Sequence, residues 1–105
     1  MKIKYYTDGA CSSKDNCGGF AFVKVENDKE ILSYSCGEKD TTNNRMEIKA
    51  IISALKSAIL DAENNPFENI DIDIISDSQY CINSINKWLY NWVKNDFFRG
   101  VSNKN

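Results

Sequence analysis

The sequence predicts a mixed α/β fold: a three-strand antiparallel meander, a helix, a fourth strand parallel to the meander, and then further helices. Three observations carry this. Residues 2–36 hold three β-rich runs separated by short turn stretches. Residues 43–60 repeat apolar side chains at helical spacing. Residues 70–76, IDIDIIS, return to strand character, and a strand–helix–strand order closes through a right-handed crossover onto a parallel neighbour.

Each element has its own signal. KIKYYT at 2–7 alternates and is β-rich, and a polar stretch with Gly9, Ser12, Ser13 and Gly18-Gly19 follows. GFAFVKVE at 19–26 sets Phe20 and Phe22 on one face and Ala21, Val23 and Val25 on the other. Asn27-Asp28-Lys29 turns the chain into EILSYSC, and such short links imply antiparallel pairing. In the helix, Ile51, Ala54, Leu55 and Ala58 form a core stripe, and Asn44 three residues before Glu47 resembles a capping arrangement. Asn64, Asn65 and Pro66 end it. A second helix starts near Asp77 or Ser78 and carries Ile82, Ile85 and Leu89; another holds Trp88, Trp92 and Val93 and ends near Gly100. The final VSNKN does not read as a finished element.

Composition narrows the chemistry. The 105 residues are enough for one domain, and 42% hydrophobic with 27% charged residues is ordinary globular composition. There is no histidine, so Ser-His-Asp and Cys-His catalysis within this chain are excluded. Cys11, Cys17, Cys36 and Cys81 form no Cys-x-x-Cys pair and are expected as reduced thiols. The start MKIKYYTDGA lacks a signal-peptide pattern, and no apolar run reaches membrane-helix length; the expected setting is intracellular, cytoplasmic, with no membrane partner. The net charge is −2, yet residues from Lys87 onward carry +3 against −5 for the rest. A basic, aromatic-rich end on an acidic body suits a local binding patch.

Three carboxylates stand out. Asp8 follows the first strand and Asp77 the fourth; in a parallel pair both emerge at one carboxyl edge, where open sheets bind ligands. Glu47 lies four residues before Ile51, in line with the helix's apolar face. A glutamate facing a core is rare unless paired or metal-bound; the alternative is a capping glutamate turned to solvent. Three gathered carboxylates repel by roughly 3 kcal/mol per pair at 5 Å and an effective dielectric of 20. Divalent cations remove that cost, and Mg²⁺ prefers such oxygen ligands. Two ions suit phosphodiester cleavage without histidine.

These residues stand in strings that resemble type 1 ribonuclease H: YTDGAC at 6–11, TTNNRMEIKA at 41–50 and ISDSQY at 75–80. The resemblance covers essentially the whole chain but part of the family's domain. It implies a ribonuclease H-like α/β fold and an endonuclease that hydrolyses the RNA strand of RNA–DNA hybrids, with two Mg²⁺ ions, Mn²⁺ substituting. Asp8, Glu47 and Asp77 match three of four metal-binding catalytic acids. Cys11, Asn43, Asn44 and Gln79 match contacts to the RNA strand or minor-groove bases, part of which reads the 2′-hydroxyl. Thr42 matches a contact to a DNA phosphate, and Tyr80, Trp88 and Trp92 match a channel for the DNA strand. Ser13 and Lys94 complete the substrate-binding candidates. Blander readings stand beside these: core packing for the aromatics, a solvated first-turn residue for Gln79, a filler for Cys11, a solvated face for Lys94.

Residues 1–105 thus read as a single ribonuclease H-like domain, C-terminally incomplete. The family's next helix, fifth strand, loop and last helix are expected to be absent, and with them the fourth acid. The fourth strand would then leave an open sheet edge, inviting a homodimer. Two other functions remain in view: a hybrid-binding fragment with little or no catalysis, and a structural domain reusing the scaffold.

Overall fold

The structure, a computed structural model, describes residues 2–12, 14–65, 70–79 and 81–83, and the backbone of 98–103. Its elements are β1 (Lys2–Ser12), β2 (Cys17–Glu26), β3 (Lys29–Glu38), α1 (Asn43–Asn64), β4 (Asp71–Ser76) and β5 (Phe98–Asn103). They form one sheet in the order β3-β2-β1-β4-β5. β1 pairs antiparallel with β2, and β2 with β3; β4 runs parallel to both β1 and β5. The mixed α/β architecture is therefore the one the sequence predicts.

Local chemistry explains the bounds. The β2–β3 link is a two-residue turn, Asn27-Asp28, with φ of 50° and 67°. Asn and Asp tolerate this left-handed region, and such turns match the twist of paired strands. The meander strands extend two to five residues beyond the alternating sequence runs because antiparallel pairing continues from Ile3↔Glu26 to Ser12↔Cys17. Mutual hydrogen bonding holds the polar tip of this ribbon in strand form despite its weak propensity.

One edge differs from expectation. The fifth strand, expected absent, is present: residues 98–103 pair parallel with β4, as Ile74↔Val101 and Ser76↔Asn103. Residues 98–100, expected as the end of a helix, and 101–103, which look unfinished in sequence, lack an apolar alternation and are strand because the β4 backbone supplies their pairing; the rest of the expected last helix lies outside the described residues. The edge of β4 is thus covered, which removes the ground on which a homodimer through that edge was expected.

The helix stripe lands as predicted, with Met46, Ala50, Ile51, Ala54 and Ala58 buried. Leu55 is only partly buried against the core. Small side chains at 50, 54 and 58 let α1 lie close on the sheet. Ile3, Tyr5 and Phe22 from the meander meet Ile72 and Ile74 from β4 beneath it, with Cys81 and Ile82 closing the core. Each such isoleucine contributes about 1.5–3 kcal/mol on burial. The helix cap also differs from the sequence reading. Thr42, not the Asn44–Glu47 pair, caps α1: its Oγ1 accepts from Arg45 N–H at 3.2 Å. Asn44 lies inside the first turn and Glu47 is engaged elsewhere.

Two polar ties fix α1 on the sheet. The Tyr5 hydroxyl bonds Ser57 Oγ at 2.9 Å and Asp61, and Lys24 Nζ reaches Asp61 Oδ1 at 2.8 Å. Burial and the neighbouring Asp61 carboxylate push the Tyr5 phenol well up from its ordinary value. Nearer the other end, Lys49 pairs with Glu38. None of the four cysteines is disulfide-bonded. No helix among the described residues is long and apolar enough to cross a membrane.

Candidate active site

The β1–β4 ladder ends at Tyr6↔Ile75, and the same offset carries Asp8 onto Asp77. Each aspartate thus follows the last paired residue of its strand by two positions, at the carboxyl edge of the ladder. Asp8 lies within the long β1 rather than after it, on the part paired only with β2. Thr7 Oγ1 donates to the Ile75 carbonyl at 2.9 Å and so clips the two strands together where the ladder stops. Both aspartates are solvent-exposed. Beside Asp8 opens a shallow depression of about 390 Å³ whose walls include Ala10, Gly19 and Ala21.

Glu47 projects from the second turn of α1 toward this edge and is partly buried. Its Oε1 accepts from the Gly9 backbone N–H at 3.0 Å, and the Ser76 hydroxyl donates to its Oε2 at 3.3 Å. The solvent-facing capping alternative is thereby excluded. Burial is the main cause that raises Glu47 above the ordinary carboxylate range. The Gly9 and Ser76 bonds oppose it, and the negative charges of Asp8 and Asp77 add to it. Glu47 therefore feels the charge of both aspartates.

The acids do not form a finished cage: among the described residues, no group of three or more His, Cys, Asp or Glu side chains is gathered to hold a metal ion. The donor set nonetheless suits Mg²⁺. It is all oxygen, and Mg²⁺ keeps several waters and takes only one or two carboxylates from a protein. An ionised carboxylate offers about four lone-pair sites. The Gly9 and Ser76 bonds occupy one on each Glu47 oxygen, leaving the others for a cation.

Around the acids lies the N-terminus of α1. Asn43 Oδ1 accepts from Cys11 N–H, and Cys11 Sγ sits 3.2 Å from the Thr41 carbonyl. Asn43 is itself exposed. Thr42 and Asn44 are likewise exposed on this turn, and Cys81 Sγ lies 3.8 Å from the Asn44 carbonyl. Gln79, exposed in the helical turn after β4, bonds Asn83 through its amide at 2.9 Å. Ser78 starts that turn by accepting from Cys81 N–H at 3.3 Å. Cys11, Thr42, Asn43, Asn44 and Gln79 thus share segments flanking the three acids. Ser13, Tyr80, Trp88, Trp92 and Lys94 lie outside the described residues.

Sequence reasoning missed four supporting residues. Gly9 is one: a Cβ there would come within 2.5 Å of the Glu47 backbone nitrogen, so only glycine admits α1 this close to β1. Thr7 and Ser76 are buried hydroxyls, and each immediately precedes an aspartate. Thr-Asp and Ser-Asp at the two strand ends were the available signal. Thr41 is buried, and its Oγ1 has no hydrogen-bond partner among the described residues.

A mixed sheet with carboxylates at the carboxyl edge of its parallel pair, flanked by amides at a helix N-terminus, defines a class of α/β folds with an acidic site at the strand ends. The RNase H family model matches residues 1–105, and the chain belongs to that family. It is 41% identical over 105 residues to Ribonuclease H of Treponema denticola, covering 92% of this chain and 66% of that protein. Ribonuclease H of Rickettsia canadensis is 44% identical over 98 residues, covering 91% and 56%. Ribonuclease H of Campylobacter jejuni is 37% identical over 95 residues, covering 90% and 59%. The chain thus spans 56–66% of the length of these relatives.

Proposed function

We propose that this chain carries the greater part of the active site of an endoribonuclease that hydrolyses the RNA strand of RNA–DNA hybrids. The observation that supports this best is the partly buried Glu47 carboxylate, held on both oxygens and feeling the charges of Asp8 and Asp77. Family membership and relatives named Ribonuclease H point the same way.

On this reading Asp8, Glu47 and Asp77 would hold two Mg²⁺ ions, with Mn²⁺ as a substitute. When bound, such ions activate the attacking water and stabilise the leaving oxygen. The chain's own residues do the rest. Gly9 N–H and Ser76 keep Glu47 from rotating to solvent. The Cys11–Asn43 bond turns the Asn43 amide NH₂ outward, where it meets an acceptor on the RNA sugar or base edge. A 2′-hydroxyl is such an acceptor and marks RNA against DNA. Thr42 and Asn44 add polar contacts on the same turn, and Gln79 reaches from the opposite side. Ser13, Tyr80, Trp88, Trp92 and Lys94 are assigned to the substrate path by the resemblance alone.

A second reading keeps hybrid binding without efficient cleavage, because the chain spans only 56–66% of the length of its relatives. Incubating a labelled RNA–DNA hybrid with the chain and Mg²⁺ or Mn²⁺ separates the two. RNA-strand cuts, absent with chelator, support the enzyme. Salt-sensitive binding without cuts supports the binding module, and a version extended to the relatives' length then tests whether the added segment restores cleavage. Neither cuts nor binding by either version overturns both readings.

A further inference from the structure

Ser76 ends β4, is fully buried, and stands between two of the acids. Its Oγ accepts from the Ser78 backbone N–H at 3.2 Å and donates to Glu47 Oε2 at 3.3 Å. A hydroxyl has a single proton and two lone pairs. Because the Ser78 N–H occupies a lone pair, the proton is free to point at Glu47. One side chain therefore shapes the turn that carries Asp77 and restrains the carboxylate of Glu47, 29 residues earlier in sequence. Capping that turn needs only the bond from Ser78; the bond to Glu47 is a separate feature, and a purely structural serine has no use for it.

We propose that Ser76 is a positioning residue: its hydroxyl aims the Glu47 carboxylate at the edge shared with Asp8 and Asp77, and so sets the affinity of that edge for divalent cations. This rests on the metal-binding reading of the three acids. Gly9 N–H fixes one oxygen of Glu47. Without Ser76 the carboxylate turns about that single anchor, and its second oxygen loses its direction. Losing such a partner behind a metal ligand lowers metal affinity about 10–100-fold.

The test uses the 105-residue chain and two readouts, neither of which is catalysis. Mn²⁺ binding is titrated by electron paramagnetic resonance, and the Glu47 side-chain carboxyl is followed by ¹³C NMR in chelator. Ser76→Ala is expected to weaken Mn²⁺ binding about tenfold or more, while Ser76→Thr, which keeps the hydroxyl, stays within about threefold. The Glu47 resonance moves in Ser76→Ala, stays in Ser76→Thr, and Asp61 is unmoved in both. If Ser76→Ala loses its circular dichroism signature, Ser76→Cys replaces it, a weak donor of similar size expected to fall between Ala and Ser. Unchanged Mn²⁺ affinity, or an unmoved Glu47 resonance, overturns the positioning role while leaving the metal reading intact. An unsubstituted chain that binds no Mn²⁺ overturns the metal reading, and the positioning role falls with it.

Discussion

The backbone N–H of Gly9 donates to Glu47 Oε1 at 3.0 Å, across 38 residues of sequence. This bond joins the first strand to the first helix where a side chain on the strand would strike the helix backbone. It exists only because position 9 has no side chain: a Cβ would lie 2.6 Å from the Met46 carbonyl oxygen. The carboxylate, its donor and the space between them form one arrangement.

Gly9→Ala is therefore expected to push α1 off β1 and release Glu47. Overpacking of this kind costs about 1–3 kcal/mol. Urea unfolding reads the loss, and the Glu47 carboxyl resonance reads the broken bond. Unchanged stability with an unmoved resonance would show that the helix yields without strain.

Asp8→Asn, Glu47→Gln and Asp77→Asn each keep side-chain size and remove charge. In the version that cleaves hybrids, each is expected to lower the rate by about two to three orders of magnitude or more, with the circular dichroism spectrum unchanged. Retained cleavage in any two of them would refute the role of the acid set.

Glu47 also predicts a pH dependence of stability. Its folded value lies above the ordinary one, so between the two the folded chain holds the proton more tightly than the unfolded chain. Stability attributable to this group is present at low pH and falls as pH rises from the ordinary glutamate value through the raised one. In chelator, Glu47→Gln should remove that fall and melt at or above the unsubstituted chain near neutral pH. Thermal melts from pH 4 to 8 check this, and parallel curves for the two chains would contradict it.

The Tyr5–Ser57–Asp61–Lys24 cluster predicts a graded loss. Tyr5→Phe removes one hydroxyl while Asp61 keeps Lys24, at a cost of about 1 kcal/mol. Lys24→Met leaves the Asp61 carboxylate, whose side chain is 18% exposed, with the Tyr5 hydroxyl but no cation, and should cost more, about 2 kcal/mol. Urea midpoints order the two, and a reversed order would place the stabilisation in the phenol instead.

At the α1 terminus, Thr42→Ala removes the acceptor for Arg45 N–H and should cost about 1 kcal/mol. The matching change at Asn44, expected from sequence to be the cap, should leave the helix terminus intact.

The strand alternation, the apolar repeat of 51, 54 and 58 and the Asn-Asp turn were legible in sequence because each is a short-range rule about neighbouring residues. The three strings around Asp8, Glu47 and Asp77 identified the family for a related reason: order and spacing survive in one dimension. Strand β5 was not legible, since residues 98–103 form a strand through pairing with β4, and pairing partners leave no local mark. The cap passed from Asn44 to Thr42 because the loop after β3 sets where helical geometry begins.

By itself, then, the sequence determined the sheet-and-helix plan of residues 2–76 and the family, and it singled out three acids as candidates. Only the tertiary structure decided what holds them. The Gly9 amide, the Ser76 hydroxyl and the Thr7 clip act across 29 to 68 residues of chain. Hydrogen bonds reach only about 3 Å, so such contacts come into being when the parallel pair closes under α1.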